Sequence, residues 1–325
     1  MMQKTLLTGI KPTGTVHLGN YFGAMRQLVD FQNDYRSFAF VVNYHALTSI
    51  SDGALLKKLT LDVAMDYLAI GLDPKKTTLF LQSDVPEVTE LSWIFNTLIS
   101  VPYLMRAHAY KDAEQKNKEV NVGVFDYPVL MAADLLMYGT DVVPVGQDQK
   151  QHIEIARDIA QKFNHVFGAT FKLPEPMILP EVKTVMGTDG RKMSKSYGNV
   201  ISLFASDEEI KKAVMSIPTD SKGIEEPKDP ATCNVFAFHE LLKAENLEDV
   251  RTRYLAGGIG YKESKEILID NLRAFITPLR SRREDIARDP EAVLRILREG
   301  GEVARAEAQK MMHDVREKVG LLLSL

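Results

Sequence analysis

Four short apolar runs, separated by helix-length amphipathic segments, constrain this chain more than any other feature. Thr5–Ile10, Ser37–Val42, Thr77–Leu81 and Asp141–Val145 have the length and composition of buried strands. Around them lie helical patterns at Tyr21–Gln32, Leu55–Ile70 (ended by Gly71), Glu87–Ile99, Pro128–Tyr138 and Gln149–Phe163. Strands alternating with helices of this length predict an α/β fold, a parallel sheet with helices on both faces. Ligands of such sheets bind at the carboxyl ends of the strands, which directs attention to the loops after Ile10, Val42 and Val145.

From about Ser202 the pattern changes to helix-loop-helix with no convincing strand. Asp207-Glu208-Glu209 opens a helix, as acidic residues at a helix N-terminus should. Pro218, Pro227, Pro230, Gly257-Gly258 and Pro278 punctuate the remainder. The expected division is a larger sheet domain over 1–200 and a smaller all-α domain over 201–300, with the boundary near Tyr197–Ser202. A last helix from about Pro290 to Val319 carries an apolar stripe at Val293, Leu297, Val303, Met311 and Val315. It fits either domain, and residues 300–325 can pack back on the first. Trp93, in an apolar helix, reads as core.

The bulk numbers exclude several classes. At 325 residues the chain suits one large and one small domain. No run approaches the roughly 18 apolar residues of a membrane span, and Met1-Met2-Gln3-Lys4 does not lead into a signal peptide. Cys233 is the only cysteine, so no intramolecular disulfide or multi-cysteine zinc site forms, and the expected setting is a reducing cytoplasm. The net charge of −4 means that any nucleic-acid partner must be met by a local basic patch.

Two segments carry chemistry. Gly187-Thr188-Asp189-Gly190-Arg191 leads into Lys192-Met193-Ser194-Lys195-Ser196, a polar, glycine-rich loop with two lysines three residues apart. It is equipped to hold a phosphate group and release it, although a Lys/Ser cluster taken alone also reads as a solvated basic loop. After the first strand comes Gly9-Ile10-Lys11-Pro12-Thr13-Gly14-Thr15-Val16-His17-Leu18-Gly19-Asn20, followed by a helix. Gly14 and Gly19 suit a close backbone approach, and the helix N-terminus offers N–H groups to a phosphate, with His17 and Asn20 beside it. Alone, this too can be a structural turn. It is neither a P-loop nor a dinucleotide fingerprint.

His17-Leu18-Gly19-Asn20 and Lys192-Met193-Ser194-Lys195-Ser196 together resemble the two signatures of class I aminoacyl-tRNA synthetases. The resemblance implies a Rossmann-like parallel sheet as catalytic domain and ATP as substrate, with Mg²⁺ accompanying it and no structural metal. The amino-acid carboxylate would attack the α-phosphate and pyrophosphate would leave. In such reactions the protein positions groups and stabilises developing charge. Lys192 and Lys195 would neutralise pyrophosphate while His17 and Asn20 steady the reacting phosphate. The implied ATP contacts are Lys11, Pro12, Thr13, Gly19, Asn20, Gly146, Gln147, Asp148, Val185, Lys192, Met193, Ser194, Lys195 and Ser196, with Gly146, Gln147 and Asp148 at the ribose. Asp148 also stands where a helix N-cap would.

Asp126-Tyr127-Pro128-Val129-Leu130-Met131-Ala132-Ala133-Asp134-Leu135-Leu136 and Val143-Pro144-Val145-Gly146-Gln147-Asp148-Gln149-Lys150-Gln151-His152 narrow the resemblance to bacterial tryptophanyl-tRNA synthetases, over most of residues 1–200. It implies that Asp134 accepts the indole N–H, that Met131 packs on the ring and that Gln149 meets the polar end, with Tyr127 and His45 also lining the site. A buried acceptor discriminates strongly against phenylalanine, which leaves it unpaired. A helix-face carboxylate bonded only for structure is the competing reading of Asp134.

The chain departs from the family pattern at Lys11, where glutamine is usual, and at Val42-Asn43-Tyr44-His45 in place of Val-Asp-Gln-His. Gly146-Gln147-Asp148 replaces Gly-Glu-Asp. In Tyr110-Lys111-Asp112-Ala113-Glu114, Ala113 replaces a phosphate-binding lysine, with Lys116 near enough to substitute. The resemblance further implies a homodimer and a helical domain that binds the anticodon of tRNA(Trp). For that role Arg280-Ser281-Arg282-Arg283 is the best basic cluster, though it equally reads as a solvated helix face. Rival readings are a tyrosine-specific enzyme of the same subclass, a paralogue that only binds tryptophan, and a small-molecule adenylyltransferase.

Overall fold

The computed structural model describes residues 3–106, 121–146, 149–177 and 185–323. Five strands form one parallel sheet in the order β3-β2-β1-β4-β5. They are β1 (Thr5–Ile10), β2 (Arg36–Val41), β3 (Thr77–Leu81), β4 (Val142–Pro144) and β5 (Glu175–Met177). β1 and β2 pair along their whole length, Thr5 opposite Arg36 through Ile10 opposite Val41, whereas β1 meets β4 at Leu6 and Val142. The sheet is the Rossmann-like fold class expected. β5 was not anticipated, because three residues around Pro176 are too short and too polar to show a period. A proline is tolerated there because the strand lies at the sheet edge.

The helices are α1 (Leu18–Asn20), α2 (Arg26–Phe31), α3 (Asn43–Ala46), α4 (Gly53–Ala69), α5 (Glu87–Asn96), α6 (Val101–Leu104), α7 (Val122–Met137) and α8 (Lys150–Phe167). They continue as α9 (Asp207–Met215), α10 (Asn234–Leu242), α11 (Leu247–Ala256), α12 (Tyr261–Ala287) and α13 (Pro290–Lys318). A π-helical turn, Tyr21–Met25, joins α1 to α2. α7 begins a turn and a half earlier than its sequence suggests: Asn121 Oδ1 accepts the Val124 N–H at 2.9 Å and caps it, leaving Pro128 inside the helix. α9 carries a capping box, with Ser206 Oγ accepting the Glu209 N–H and Glu209 Oε2 accepting the Ser206 N–H.

The chain divides into two compact units. One comprises Met1–Gly14, Arg26–Leu179 and Asp289–Leu325, and the other Thr15–Met25 and Pro180–Arg288. Compared with the expected division at 200, the segments 15–25 and 180–200 group with the helical unit. The reason is local pairing: the Leu203 N–H donates to Val16 O and the Leu18 N–H to Ile201 O.

In the sheet unit Leu7, Phe38, Phe40 and Phe80 pack with Leu91 and Phe95 of α5, Val129 and Leu136 of α7, and Ile153 and Phe163 of α8. Covering edge strand β3 requires a close approach by α13. A Cβ on Gly300 would lie 1.9 Å from the Leu79 carbonyl oxygen, so only glycine lets the helix lie that near. The buried stripe of α13 is therefore Val293, Leu297, Gly300, Gly301, Ala304, Ala308, Met312 and Val315. Val303, expected in it, is exposed, and Met311 is half-buried. Arg305 pairs with Glu87 at 2.9 Å, and Arg316 donates twice to Glu90. Trp93 is a correction: it is 72% exposed, because α5 buries Val88, Leu91, Ser92 and Phe95 at helical spacing and turns position 93 outward.

In the helical unit Phe236, Val250, Tyr254 and Ile259 form one apolar cluster, and α9 and α10 pack on α12. The buried Lys265 ammonium donates to the carbonyls of Met215 and Ile217 and closes the end of α9. Arg280, expected within a basic cluster, is committed to this unit: it donates to Ala205 O at 2.5 Å and to Asp207 Oδ1 at 2.8 Å.

Candidate active site

The candidate residues fall into two groups, one in each unit. In the sheet unit they gather at the carboxyl ends of β1, β2 and β3. Tyr127, Met131 and Asp134 lie on one face of α7, at i, i+4 and i+7. Asp134 is 3% exposed and its carboxylate is fully engaged from one side. Gln82 Nε2 donates to Oδ1 at 3.0 Å and to Oδ2 at 2.8 Å, and His45 Nε2 lies 3.0 Å from Oδ2. Burial pushes the Asp134 carboxyl above the usual carboxylate range, and the bonds from His45 and Gln82 oppose that shift. A carboxylate has about four lone-pair sites, and partners among the described residues use three of them. The Tyr127 ring lies edge-on to His45 with centroids 6.1 Å apart, and its hydroxyl is 3.3 Å from His152 Nε2 of α8. Gln149 is the N-cap residue of α8, three residues before His152, and its N–H donates to Gly146 O.

Lys11 turns into this same region, donating from Nζ to Thr48 Oγ1 at 2.9 Å while Thr48 donates to His45 O. Burial lowers the Lys11 ammonium pKa. Pro12 is buried and Thr13 exposed. The departure at Asn43 has a structural counterpart: Asn43 Nδ2 donates to Ser83 Oγ at 2.8 Å and the Ser83 N–H donates back to Asn43 Oδ1 at 3.0 Å. Tyr44 packs against the sheet core. Gln147, Asp148 and the segment with Tyr110, Lys111, Asp112, Ala113, Glu114 and Lys116 lie outside the described residues.

In the helical unit the two signatures are bound to each other. The antiparallel bridge between His17 and Ser202 sets the first signature against the segment that follows the second. The Gly19 N–H points at Met193 Sδ, 3.3 Å away, and Met193 is 5% exposed. Two of the first amides of α1 therefore have internal partners, Leu18 through Ile201 and Gly19 through Met193, where the sequence led us to expect them open to phosphate. A Cβ on Gly19 would meet the His17 ring at 2.9 Å. Asn20 Oδ1 accepts the His17 N–H. Burial, and secondarily the Lys195 ammonium, hold His17 down at a pKa of about 4, so the ring is neutral at neutral pH.

Val185 O accepts the Met193 N–H and Met186 pairs with Lys192, forming a hairpin turned by Gly190 at a φ of 80°. Lys192, Lys195 and Ser196 are exposed, Ser194 half-buried. Asn199, 2% exposed, holds the loop together. Its Nδ2 donates to Asp189 Oδ1 at 2.6 Å and to Lys192 O at 3.1 Å, and its Oδ1 accepts the Ser194 N–H at 2.8 Å. Asn234, at the start of α10, donates to Gly187 O and Thr188 O.

Residues 2–277 match the family described as tRNA synthetases class I (W and Y). The tryptophan–tRNA ligase of Fusobacterium nucleatum is 46% identical over 322 residues, covering 98% of each chain. The chain belongs to this family. A crystal structure of tryptophanyl-tRNA synthetase from Campylobacter jejuni complexed with ADP and tryptophan superposes with a TM-score of 0.91 at 45% identity, over 97% of this chain and 99% of that one. A second Campylobacter jejuni structure gives 0.87 at 44% identity, over 98% and 100%.

Within this family frame, Asp134, His45, Tyr127 and Met131 are brought together in the sheet unit, and His17, Gly19, Asn20 and the 192–196 segment in the helical unit. Two residues escaped the sequence reading. Gln82 directly follows a buried strand, and a polar residue at a strand's carboxyl end was a usable signal. Asn199 carried no local signal, since its partners are set by the loop's tertiary course. Among the described residues no group of three or more His, Cys, Asp or Glu is placed to hold a metal ion.

Proposed function

We propose that this chain is a tryptophan–tRNA ligase. It activates L-tryptophan with ATP to tryptophanyl-adenylate and pyrophosphate, then transfers tryptophan to the 3′-terminal adenosine of tRNA(Trp). The observation that carries this reading is Asp134, a buried carboxylate beside Tyr127 and Met131. Asp134 takes the indole N–H, Met131 and Tyr127 border the ring, and Gln149 with His45 completes the site.

Lys192 and Lys195 neutralise the leaving pyrophosphate. Neutral His17 and Asn20 act at the reacting phosphate as hydrogen-bonding groups, with preorganised polarity stabilising the transition state. Gly146, Gln147 and Asp148 line the ribose, and Lys11, Pro12, Thr13, Gly19, Val185, Met193, Ser194 and Ser196 complete the ATP contacts. Mg²⁺ enters with ATP as part of the substrate.

The helical unit reads the anticodon. Sequence-specific readout of unpaired bases uses aromatic or arginine platforms, and Arg280 is not among them because it is already bonded within the unit. The active form is a cytoplasmic homodimer. In support of dimerisation, Trp93, Val101 and Val122 expose apolar surface on α5, α6 and α7, as does Met105 just after α6. Trp93 is the only tryptophan, so its fluorescence reports this surface directly: emission should shift to the blue as protein concentration rises.

Asp134→Asn tests the central assignment. Tryptophan affinity should fall on the order of 10- to 100-fold, the loss of a hydrogen bond to a charged partner, while ATP affinity holds. Unchanged tryptophan affinity would remove Asp134 from the site.

A further inference from the structure

Gln82 is the first residue after β3 and is 1% exposed. Both ends of its side-chain amide are occupied. Oε1 accepts the N–H groups of Tyr44, at 3.0 Å, and His45, at 3.4 Å. Nε2 donates to both oxygens of Asp134. The amide orientation is fixed by chemistry: two backbone donors face one end and a carboxylate faces the other, so the flipped amide would oppose donor to donor and acceptor to acceptor. Ser83, the next residue, ties the same turn to Asn43 through a reciprocal pair of hydrogen bonds. The start of α3, the end of β3 and the last turn of α7 are thus joined through one side chain.

We propose that Gln82 is a positioning residue for amino-acid recognition. Its amide, anchored on the α3 backbone, holds the Asp134 carboxylate oriented as an acceptor for the ring N–H of tryptophan. This inference deepens the proposed function and rests on it.

Removing the amide has two consequences. A buried carboxylate that loses donors gains proton affinity, and a protonated Asp134 spends its one O–H inside the site or presents it to the ligand. The carboxylate also loses the contact that sets its angle. Among the described residues, the ionisable groups around it include His45 on α3, Tyr138 just past the end of α7 and, through its influence on Tyr138, Glu87 on α5.

Gln82→Glu makes the proposal testable because the replacement keeps the shape and titrates. When protonated, the introduced carboxyl donates its O–H to Asp134 as the amide does, with its other oxygen still accepting from the Tyr44 N–H. When ionised, it sets two carboxylates about 3 Å apart, which cannot both remain charged without moving apart.

The experiment is tryptophan-dependent exchange of pyrophosphate into ATP from pH 6 to pH 9 for wild type, Gln82→Glu and Gln82→Met. For Gln82→Glu, the KM for tryptophan relative to wild type should be about 10- to 100-fold higher at pH 8.5 and should fall back toward wild type at pH 6. The kcat at saturating tryptophan should hold within about 3-fold. Gln82→Met should show the raised KM at every pH. A Gln82→Glu KM parallel to wild type across the range, or a kcat loss as large as the KM rise, overturns the proposal. Should Gln82→Glu fail to fold, Gln82→Asn, whose amide falls short of Asp134, must raise KM and spare kcat, and a KM that stays put overturns it equally. Failure of wild type to exchange with tryptophan at all would count against the proposed function instead.

Discussion

The sulfur of Met193 accepts the N–H of Gly19 at 3.3 Å, so the second residue of the Lys-Met-Ser-Lys-Ser segment is a buried plug against the first signature. The lysines on either side of it remain exposed. Gly19 has no room for a side chain, since a Cβ would meet the His17 ring at 2.9 Å and Met193 Cβ at 3.4 Å. Gly19→Ala should therefore displace His17 and slow adenylate formation about 100-fold, the cost typical of a 1 Å misplacement at a reacting centre. Tryptophan affinity should not change. Single-turnover adenylate formation and equilibrium tryptophan binding separate the two, and parallel losses in both would refute the local reading.

Asn199 should matter as much as the lysines it positions. Asn199→Ala strands the Ser194 N–H and the Lys192 carbonyl, a local loss of about 1–3 kcal/mol. Backbone amides over 187–199 should exchange hydrogen faster and pyrophosphate exchange should slow, while tryptophan affinity stays. Unaltered hydrogen exchange in this loop would show that Asn199 is not its anchor.

Two buried histidines give the helical unit a defined acid sensitivity. Burial holds both His17 and His239 at pKa values of about 4, against an ordinary 6.5. Between those values the unfolded chain binds the extra protons, so stability is full above pH 6.5 and declines as pH falls toward 4. His239→Gln removes one of the two groups. The gap in urea stability between wild type and His239→Gln should narrow as pH drops from 6.5 to 4, and a constant gap would be inconsistent with a neutral buried His239.

Gly300→Ala should destabilise the sheet unit, because the new methyl would overlap the Leu79 carbonyl and push α13 off β3. Overpacking of this kind costs about 1–3 kcal/mol. A thermal melt as stable as wild type would mean that α13 approaches β3 less closely than described.

The sheet was legible because strands β1 to β4 are apolar runs of ordinary length, and their spacing leaves room for a helix between each pair. Signature residues were legible as motifs, yet their bonding was not. Nothing local to Met193 marks it as buried among polar neighbours, because its burial depends on Gly19, 174 positions away. Gln82 and Asn199 are polar side chains whose partners come from distant segments, and one-dimensional periodicity carries no record of such pairs. Trp93 was misread for a related reason: a run of apolar residues conceals which of them faces out, and only the stripe at 88, 91, 92 and 95 decides it. The stripe of α13 was shifted because glycine and alanine, chosen for close approach, do not register as hydrophobic.

Exchange of labelled pyrophosphate into ATP, driven in turn by each of the twenty amino acids, decides the amino-acid specificity of this chain. Exchange with tryptophan should stand far above exchange with any other, phenylalanine and tyrosine included. Exchange driven by tyrosine and not by tryptophan would contradict the proposed function.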